Sequence, residues 1–350
     1  VGYQNTMETA KAILRDNYKG GNFNQDYNDM VKVIRDVAMR TKFTAPEAAD
    51  AARFMAMAGL NIPMIKSAIA PIADVAAISD TDLGLVADKM TNIMTEFKVA
   101  PSQMRNLADM MTKTFTSTNT DMMMLAESLQ YAGPMAFASG QSLAETLAMI
   151  GIMGNSVIQA SMAGTTMRMM LQNLYNPNKN QAKFMQQIGL RTRDANGNRR
   201  SLFEILSDIS RLTGSNDTRN VVGNLLSGKD AKNNLDTFDA ASKLFRVTAA
   251  AGGASLLGNI GGLAELIAKI QGASGNSAAV SLAKQNTVAG MWAQAKSAFT
   301  EAVVKVFEDT GMQQYIKGTL KSIIDYLKQP EFIKTMKDLF DLIKAIGSVL

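Results

Sequence analysis

The residues of this chain that most resemble a chemical site are Gly223 to Lys229, which read GNLLSGK. They match the first seven positions of a phosphate-binding loop, in which backbone N–H groups surround phosphates and the lysine neutralises them. The eighth position of such a loop holds Ser or Thr for magnesium, but here it is Asp230. A carboxylate there would repel phosphate, and the preceding residues have a helical pattern instead of that of a β-strand. We therefore interpret Gly228 as the C-terminal cap of a helix.

An acidic run, Asp80 to Gly84, has the composition of a calcium-binding loop without its spacing. The glycine comes one position early, and no glutamate closes the twelve-residue frame. We predict instead that Asp80 and Thr81 cap a helix that starts near Asp82.

The 350 residues include no cysteine and no histidine. This composition excludes thiol nucleophiles, disulfides, histidine acid–base catalysis and zinc sites with nitrogen or sulfur ligands. The sequence also contains no Gly-x-Ser-x-Gly nucleophile elbow. We predict no enzyme activity, no cofactor and no metal site.

Four arginines flank an Asn196-Gly197 dipeptide, which is typical of a tight hairpin turn because both residues tolerate positive φ. The formal net charge of the chain is +5, with the charges of both signs scattered. An ordinary solvated surface explains this cluster better than a nucleic-acid groove, although contact with DNA phosphates is the alternative. The four residues are Arg191, Arg193, Arg199 and Arg200.

Helical periodicity dominates the rest of the chain and predicts an all-α fold. Hydrophobic residues make up 47% of the sequence but aromatic residues only 6%, and there are 25 methionines. A helix bundle whose core uses Ala, Leu and Met would have this composition. We expect at least one methionine of each run to face the core, the alternative being a binding surface that repacks on partners. The runs are Met110-Met111, Met122 to Met124 and Met169-Met170.

Proline, glycine and capping residues predict where helices begin and break. A helix should start at Thr44, since Pro46 and Glu47 supply a first-turn proline and a capping-box acid. Pro71 should kink or split a helix, because it removes one backbone donor. Further helix starts or breaks are predicted at Asn61-Pro63, Pro101-Ser102, Tyr131 to Pro134, Ser139-Gly140 and Gly151 to Asn155.

The segment from Val247 to Ala264 carries no charge and is rich in Gly and Ala. Small residues recur in it every four positions, which would place them on one helix face and let two helices approach closely. We interpret the segment as a buried, closely packed helix hairpin; a membrane-inserted hairpin is the alternative, because the length is near that of a bilayer span. The small residues are Ala250, Ala254, Gly258 and Gly262.

Longer amphipathic helices are predicted towards the C-terminus. One should run from Ala278 to Phe307. After Pro330, an apolar stripe lies opposite lysines, which is typical of a helix that packs on a partner. Together with the Ala250–Gly262 stripe, its residues Leu339, Phe340 and Ile343 are our predicted inter-chain contacts.

The stretch from Thr116 to Leu174 resembles the core region of phage tail tape measure proteins. In that family a Ser-Asn-Thr run is followed by a Gly-Pro step after an aromatic residue, a Gly-x-Ser/Thr-Leu helix start and an Ala-Gly-Thr-x-x-Arg segment. The hairpin at Asn196-Gly197 resembles a further family feature. The matching residues are Asn119, Thr120, Tyr131, Gly133, Pro134, Gly140, Ser142, Leu143, Ala163, Gly164, Thr165, Arg168 and Gly197.

The resemblance implies a non-enzymatic virion protein that sets tail tube length, lies in the tube lumen or at the tip, and leaves at DNA ejection. It also implies self-association in a small number such as three, with tail tube proteins, tip or baseplate hub proteins and tail assembly chaperones as partners, and transient contact with phage DNA and the host membrane. Alternatives from other classes are a membrane-active channel-forming protein and a cytosolic helical scaffold.

We divide the chain into four predicted parts. Residues 1–23 end an upstream helical region, and residues 24–214 form a compact domain of short helices with a small hairpin near 189–200. Residues 215–275 form a Gly/Ala-rich helical segment. Residues 276–350 form long amphipathic helices that we expect to continue into a further part of the protein.

Overall fold

The computed structural model describes residues 2–212 and 237–309 and parts of 318–337, and these residues are all-α, as predicted. Contacts group Val1–Ser297 into one compact unit and Ala298–Leu350 into a second. The four-part division of the chain stays a prediction.

Before residue 213 the helices are short and follow one another closely, with a 3-10 turn at Pro101–Gln103. Their bounds are α1 Gly2–Asp16, α2 Phe23–Arg40, α3 Ala45–Met57, α4 Ile62–Ser79, α5 Leu83–Glu96, α6 Met104–Ser117, α7 Met122–Ala138, α8 Leu143–Asn155, α9 Ala160–Tyr175, α10 Lys179–Gln187 and α11 Leu202–Leu212. After residue 236 come α12 Thr237–Phe245, α13 Val247–Gly258, α14 Ile260–Gln271, α15 Asn276–Gln285 and α16 Val288–Asp309.

Capping residues set the helix starts much as predicted. The Thr44 N–H donates to Glu47 Oε2 at 2.7 Å at the start of α3, and Asn61 Oδ1 accepts from the Met64 N–H at 3.1 Å at the start of α4. The predicted caps of α5 are wrong by one or two positions. Asp82 is the N-cap of α5, whereas Asp80 ends α4 in a left-handed conformation (φ +53°).

The break predicted at Tyr131 to Pro134 is absent, because α7 continues through these residues. The break predicted at Gly151 to Asn155 falls at the end of that range: α8 continues through Gly151 and ends at Asn155, and the next helix begins at Ala160. Helix α4 likewise continues through Pro71 and is not split there. A proline removes one hydrogen bond, but each of these helices buries a long apolar face, and that burial outweighs a single missing bond. The break at Ser139-Gly140 is confirmed, with Gly140 at φ +79°.

The core contains many Ala, Ile, Leu and Met side chains, as the composition predicts. Each methionine run places a residue in it: Met111, Met122 and Met170 are at most 1% exposed. This confirms the core role predicted for the runs.

The second half of the first unit departs from the sequence prediction at two places. Helices α13 and α14 meet at an angle of 83° at Asn259, so they form a corner instead of a hairpin. The predicted helix from Ala278 to Phe307 is two helices, because Thr287 Oγ1 accepts from the Gly290 N–H at 3.1 Å and so caps a new helix, α16.

The N-terminus of α15 is capped by a side chain from a distant helix. Asp109 of α6 is 1% exposed, and its carboxylate accepts hydrogen bonds from the Gly275 and Ser277 N–H groups, each at 2.8 Å, and from Ser277 Oγ at 2.6 Å. Arg105, one turn before Asp109, donates to Ser277 Oγ at 3.2 Å and pairs with Asp74 of α4. These bonds join α4, α6 and α15 across more than 160 residues of sequence.

We predict that Asp109→Ala lowers the free energy of unfolding by about 1–3 kcal/mol, because the buried Ser277 N–H and hydroxyl groups at the start of α15 lose their acceptor. Urea unfolding followed by circular dichroism measures the change. Glu127→Ala, which removes an exposed carboxylate on α7, should change stability by less than about 0.5 kcal/mol. Equal effects of the two substitutions would contradict the capping role.

Candidate functional site

Two of the residues that carry the family resemblance, Gly164 and Tyr131, meet where α7 and α9 cross. Gly164 of α9 lies against the backbone of Ser128 in α7: a Cβ placed on Gly164 would overlap the Ser128 carbonyl oxygen and come 2.8 Å from Tyr131 Cβ. Ser128 Oγ is buried and lies 2.8 Å from both the Met124 and the Ala160 carbonyl oxygens. Only glycine allows the two helices to approach this closely.

Gly133 provides a second close approach, between α7 and the end of α5. A Cβ on Gly133 would overlap Glu96 Oε2 and come 3.4 Å from the Phe97 ring. Glu96 Oε2 is buried with no hydrogen-bond partner among the described residues. Burial raises the pKa of the Glu96 carboxyl above its usual value. Sequence reasoning missed Glu96, because nothing near it in the sequence shows that Gly133 would press on it.

The loops at one end of these helices are held together by amide side chains. Asn119, before α7, donates its N–H to Asn155 Oδ1 at 2.7 Å, and its carbonyl accepts from Gln159 Nε2 at 2.6 Å. Between α8 and α9 the chain turns sharply, with Val157 at φ +62° and Ala160 at φ +50°. Such backbone angles are strained for residues with a Cβ, so the amide contacts must stabilise the loop.

The hairpin predicted near 189–200 is confirmed as one antiparallel bridge, between Arg193 and Arg199, with Gly197 at φ +84° in the turn. Just after the hairpin, the Leu202 N–H at the start of α11 donates to Oε1 of Gln141, in the loop after α7, at 2.7 Å. Tyr175 completes the contact: its hydroxyl accepts from Gln141 Nε2 at 3.1 Å and donates to the Arg200 carbonyl.

Three of the four hairpin arginines are engaged within the fold. Arg193 donates to the Gly197 carbonyl at 2.7 Å, and Arg199 donates to the Ala138 carbonyl at 2.6 Å and stacks on the Tyr175 ring. Arg200 pairs with Asp208 at 2.6 Å and donates to the carbonyl of Arg191 at 3.1 Å. These contacts favour the interpretation of the cluster as a structural part of the surface.

The other predicted site residues are not brought together. Arg168 lies exposed on α9. The small-residue stripe is divided by the corner at Asn259: Ala250 is fully buried within the chain and Ala254 partly, while Gly258 is exposed and Gly262 lies in the next helix. The prediction that those four residues share a single packing face was therefore wrong. Leu339, Phe340, Ile343 and the run Gly223 to Asp230 lie outside the described residues.

The described part of the chain contains no group of three acidic side chains placed to hold a metal ion. The residues described above make close helix contacts and loop-to-loop amide bonds, which hold these helices and loops together.

We predict that Gly164→Ala destabilises the first unit by about 1–3 kcal/mol or more, because the added methyl group must push α7 and α9 apart. Gly261→Ala is the matched control: no atom lies within 4 Å of the new Cβ, and alanine favours a helix, so this variant should be unchanged or up to about 1 kcal/mol more stable. Thermal unfolding measures both. A Gly164→Ala protein as stable as the control would contradict the close approach.

We also predict that Glu96 makes stability depend on pH. Its pKa is higher in the folded than in the unfolded chain, so stability falls as pH rises from the unfolded value, about 4.3, through the folded one. Glu96→Gln should flatten this fall and be more stable than the parent at pH 7, with the difference shrinking towards pH 4. Urea unfolding at several pH values tests this; Glu127→Gln, on the exposed face of α7, should keep the parental profile.

Comparison with known proteins identifies the family of this chain. Residues 31–228, more than half of the chain, match the phage-related minor tail protein family. Over 178 residues the chain is 34% identical to the tape measure protein of Pneumococcus phage Dp-1 and 28% identical to the probable tape measure protein of Escherichia phage P2. Each match covers 51% of this chain but only 16% and 22%, respectively, of the two relatives. No solved structure matches the chain. The chain therefore belongs to the phage-related minor tail protein family, and about half of it is homologous to phage tape measure proteins.

Proposed function

We propose that the chain is a segment of a tape measure protein that sets the length of a phage tail tube during assembly and leaves the tail at DNA ejection. The observation that carries the proposal is the match to two tape measure proteins over half of the chain. Its partners would be further copies of itself, tail tube proteins, tip or baseplate hub proteins and tail assembly chaperones. Contact with phage DNA and the host membrane would be transient.

The fold supports a particular place for this segment within the full-length protein. A ruler works as an extended helix that advances about 1.5 Å per residue. The longest described helix, α16, has 22 residues, and the first unit folds many shorter helices back on one another. A compact unit of this size is roughly 50 Å across. We infer that it lies at an end of the tube or at the tip, and that the ruler lies elsewhere in the protein.

An in-frame deletion of residues 1–297 from the phage gene tests this placement. We predict tails of unchanged length that fail to infect, because the removed unit does not contribute extended length. If the segment were part of an extended ruler, the tails would shorten by about 450 Å. Electron microscopy of purified virions measures the length.

Gly164→Ala provides the control for this deletion, because it disturbs packing but leaves the number of residues unchanged. Tails of normal length with the same loss of infectivity would link the defect to the folded unit. Absence of the parent chain from purified virions, measured by mass spectrometry, would contradict the tail function itself.

A membrane-active role is the second candidate function. Among the described residues, the corner pair Ala249–Gly258 and Ile260–Gln271 is together long and apolar enough to cross a bilayer, although bent by 83°. Helix α4 passes the same test by itself, but 56% of its apolar window is buried inside the fold. Release of a trapped dye from lipid vesicles by the purified chain would favour this function, and its absence would favour a purely structural one.

A further inference from the structure

Helix α16 carries its large apolar side chains on the outside. Ser297 is 2% exposed, and its hydroxyl lies 2.6 Å from the Phe43 carbonyl oxygen, so up to Ser297 this side of the helix packs on the rest of the first unit. On the opposite side Val288 is 81% exposed and Trp292, the single tryptophan of the chain, is 78% exposed. A surface helix ordinarily turns its apolar face to the core, so this orientation needs an explanation.

The exposed residues form one stripe. At about 100° per residue, Val288, Trp292 and Ala295 lie within about 60° of each other, and Ser297 points the other way. Their steps of four and three residues are those of the seam of a two-helix coiled coil. In the sequence the same spacing continues with Phe299, Ala302 and Val306. Exposed Met291 borders the stripe.

We propose that this face of α16, Val288 to Ala295, binds the same face of a second copy of the chain. The proposal rests on the proposed function, because it names the surface through which copies of a tail protein would associate. It replaces the predicted contact at Ala250, which is fully buried within its own chain and cannot reach another.

Charge favours an identical partner over an unlike one. From Gln285 to Thr300 the sequence holds one charged residue, Lys296, and no acid. A partner recognised by its charge must carry charges opposite to those of the surface it binds, and this face carries no charge pattern for such a partner to match. A second neutral, apolar stripe of the same spacing is its complement.

The available area is sufficient for such a pair. A buried aromatic side chain removes about 150–250 Å² from water. Pairing two copies of Trp292 with the flanking Val288, Met291 and Ala295 would therefore bury on the order of 1,000 Å², near the lower bound of a specific protein–protein interface. The same burial explains why a tryptophan occupies the centre of the stripe, since tryptophan commonly carries much of the energy of an interface.

Sedimentation velocity of the purified 350-residue chain over a range of concentrations tests the proposal. We expect reversible self-association, and we expect Trp292 fluorescence to shift to shorter wavelength as the oligomer forms. Met291→Glu and Ala295→Glu should each weaken association at least tenfold, because they place like charges against each other across the seam. Trp292 remains in both variants as the reporter.

Met162→Glu is the matched control. Met162 on α9 is 56% exposed and Met291 is 54% exposed, so the two substitutions differ only in position. The control should associate like the parent, and far-ultraviolet circular dichroism should show that all three variants keep the helical fold.

Three outcomes would overturn the proposal. The parent chain could be monomeric at every concentration, or the control could weaken association as much as the two α16 variants. The Trp292 emission could also shift only on addition of phosphatidylglycerol–phosphatidylethanolamine vesicles, which would identify the face as a membrane contact. None of these outcomes bears on tail length or on presence in virions, so the proposed function is judged separately.

Discussion

The contact between the backbones of α7 and α9 at Gly164 is the constraint around which the surrounding helices are arranged. Because Gly164 has no side chain, α9 rests directly on the Ser128 carbonyl, and the Ser128 hydroxyl bonds across the same contact. Other glycines repeat this device: Gly151 of α8 lies against Thr118, and Gly252 of α13 against Thr166. A core with few aromatic residues has to be built in this way, because small side chains exclude water only when helices lie close together. Methionines then fill the irregular gaps that remain.

Much of the helical organisation could be predicted from the sequence, since it depends on local chemistry. Thr44 with Glu47 and Asn61 with Pro63 start helices through bonds to residues three positions away, and Asn196-Gly197 forms its turn within one hairpin. Prediction failed where packing overrides local preference. Pro134 indicates a break, but Ala132 and Ala136 on either side of it are buried on one continuous helix, and that burial is not visible locally.

The candidate site was predictable only in part, for the same reason. The family resemblance identified Gly133 and Gly164, but the contacts they make, with Glu96 and Ser128, involve helices whose crossing cannot be read from either segment alone. The stripe at Ala250 looked like a contact surface because its spacing is regular. The corner at Asn259 divides it, and spacing in the sequence gives no sign of an 83° bend. The regular spacing of the apolar residues on the exposed face of α16 is visible in the sequence. The exposure of that face could not be predicted, because it depends on the bond between Ser297 and the loop before α3.

Long-range polar contacts explain how short helices with little intrinsic stability form one unit. Asp109 caps α15, and Asp80 at the end of α4 binds Lys284 at 2.5 Å and Lys42 at 2.6 Å, which lowers the pKa of the Asp80 carboxyl. Each contact joins segments far apart in the chain, and loss of α15 would leave the buried Asp109 carboxylate without the groups that donate to it. Opening one of the joined helices therefore also costs the interactions of another, which opposes drawing the unit out helix by helix. An extended ruler needs the opposite property, with stability spread along a single helix. This difference is the physical reason for our proposal that the ruler lies outside residues 1–297.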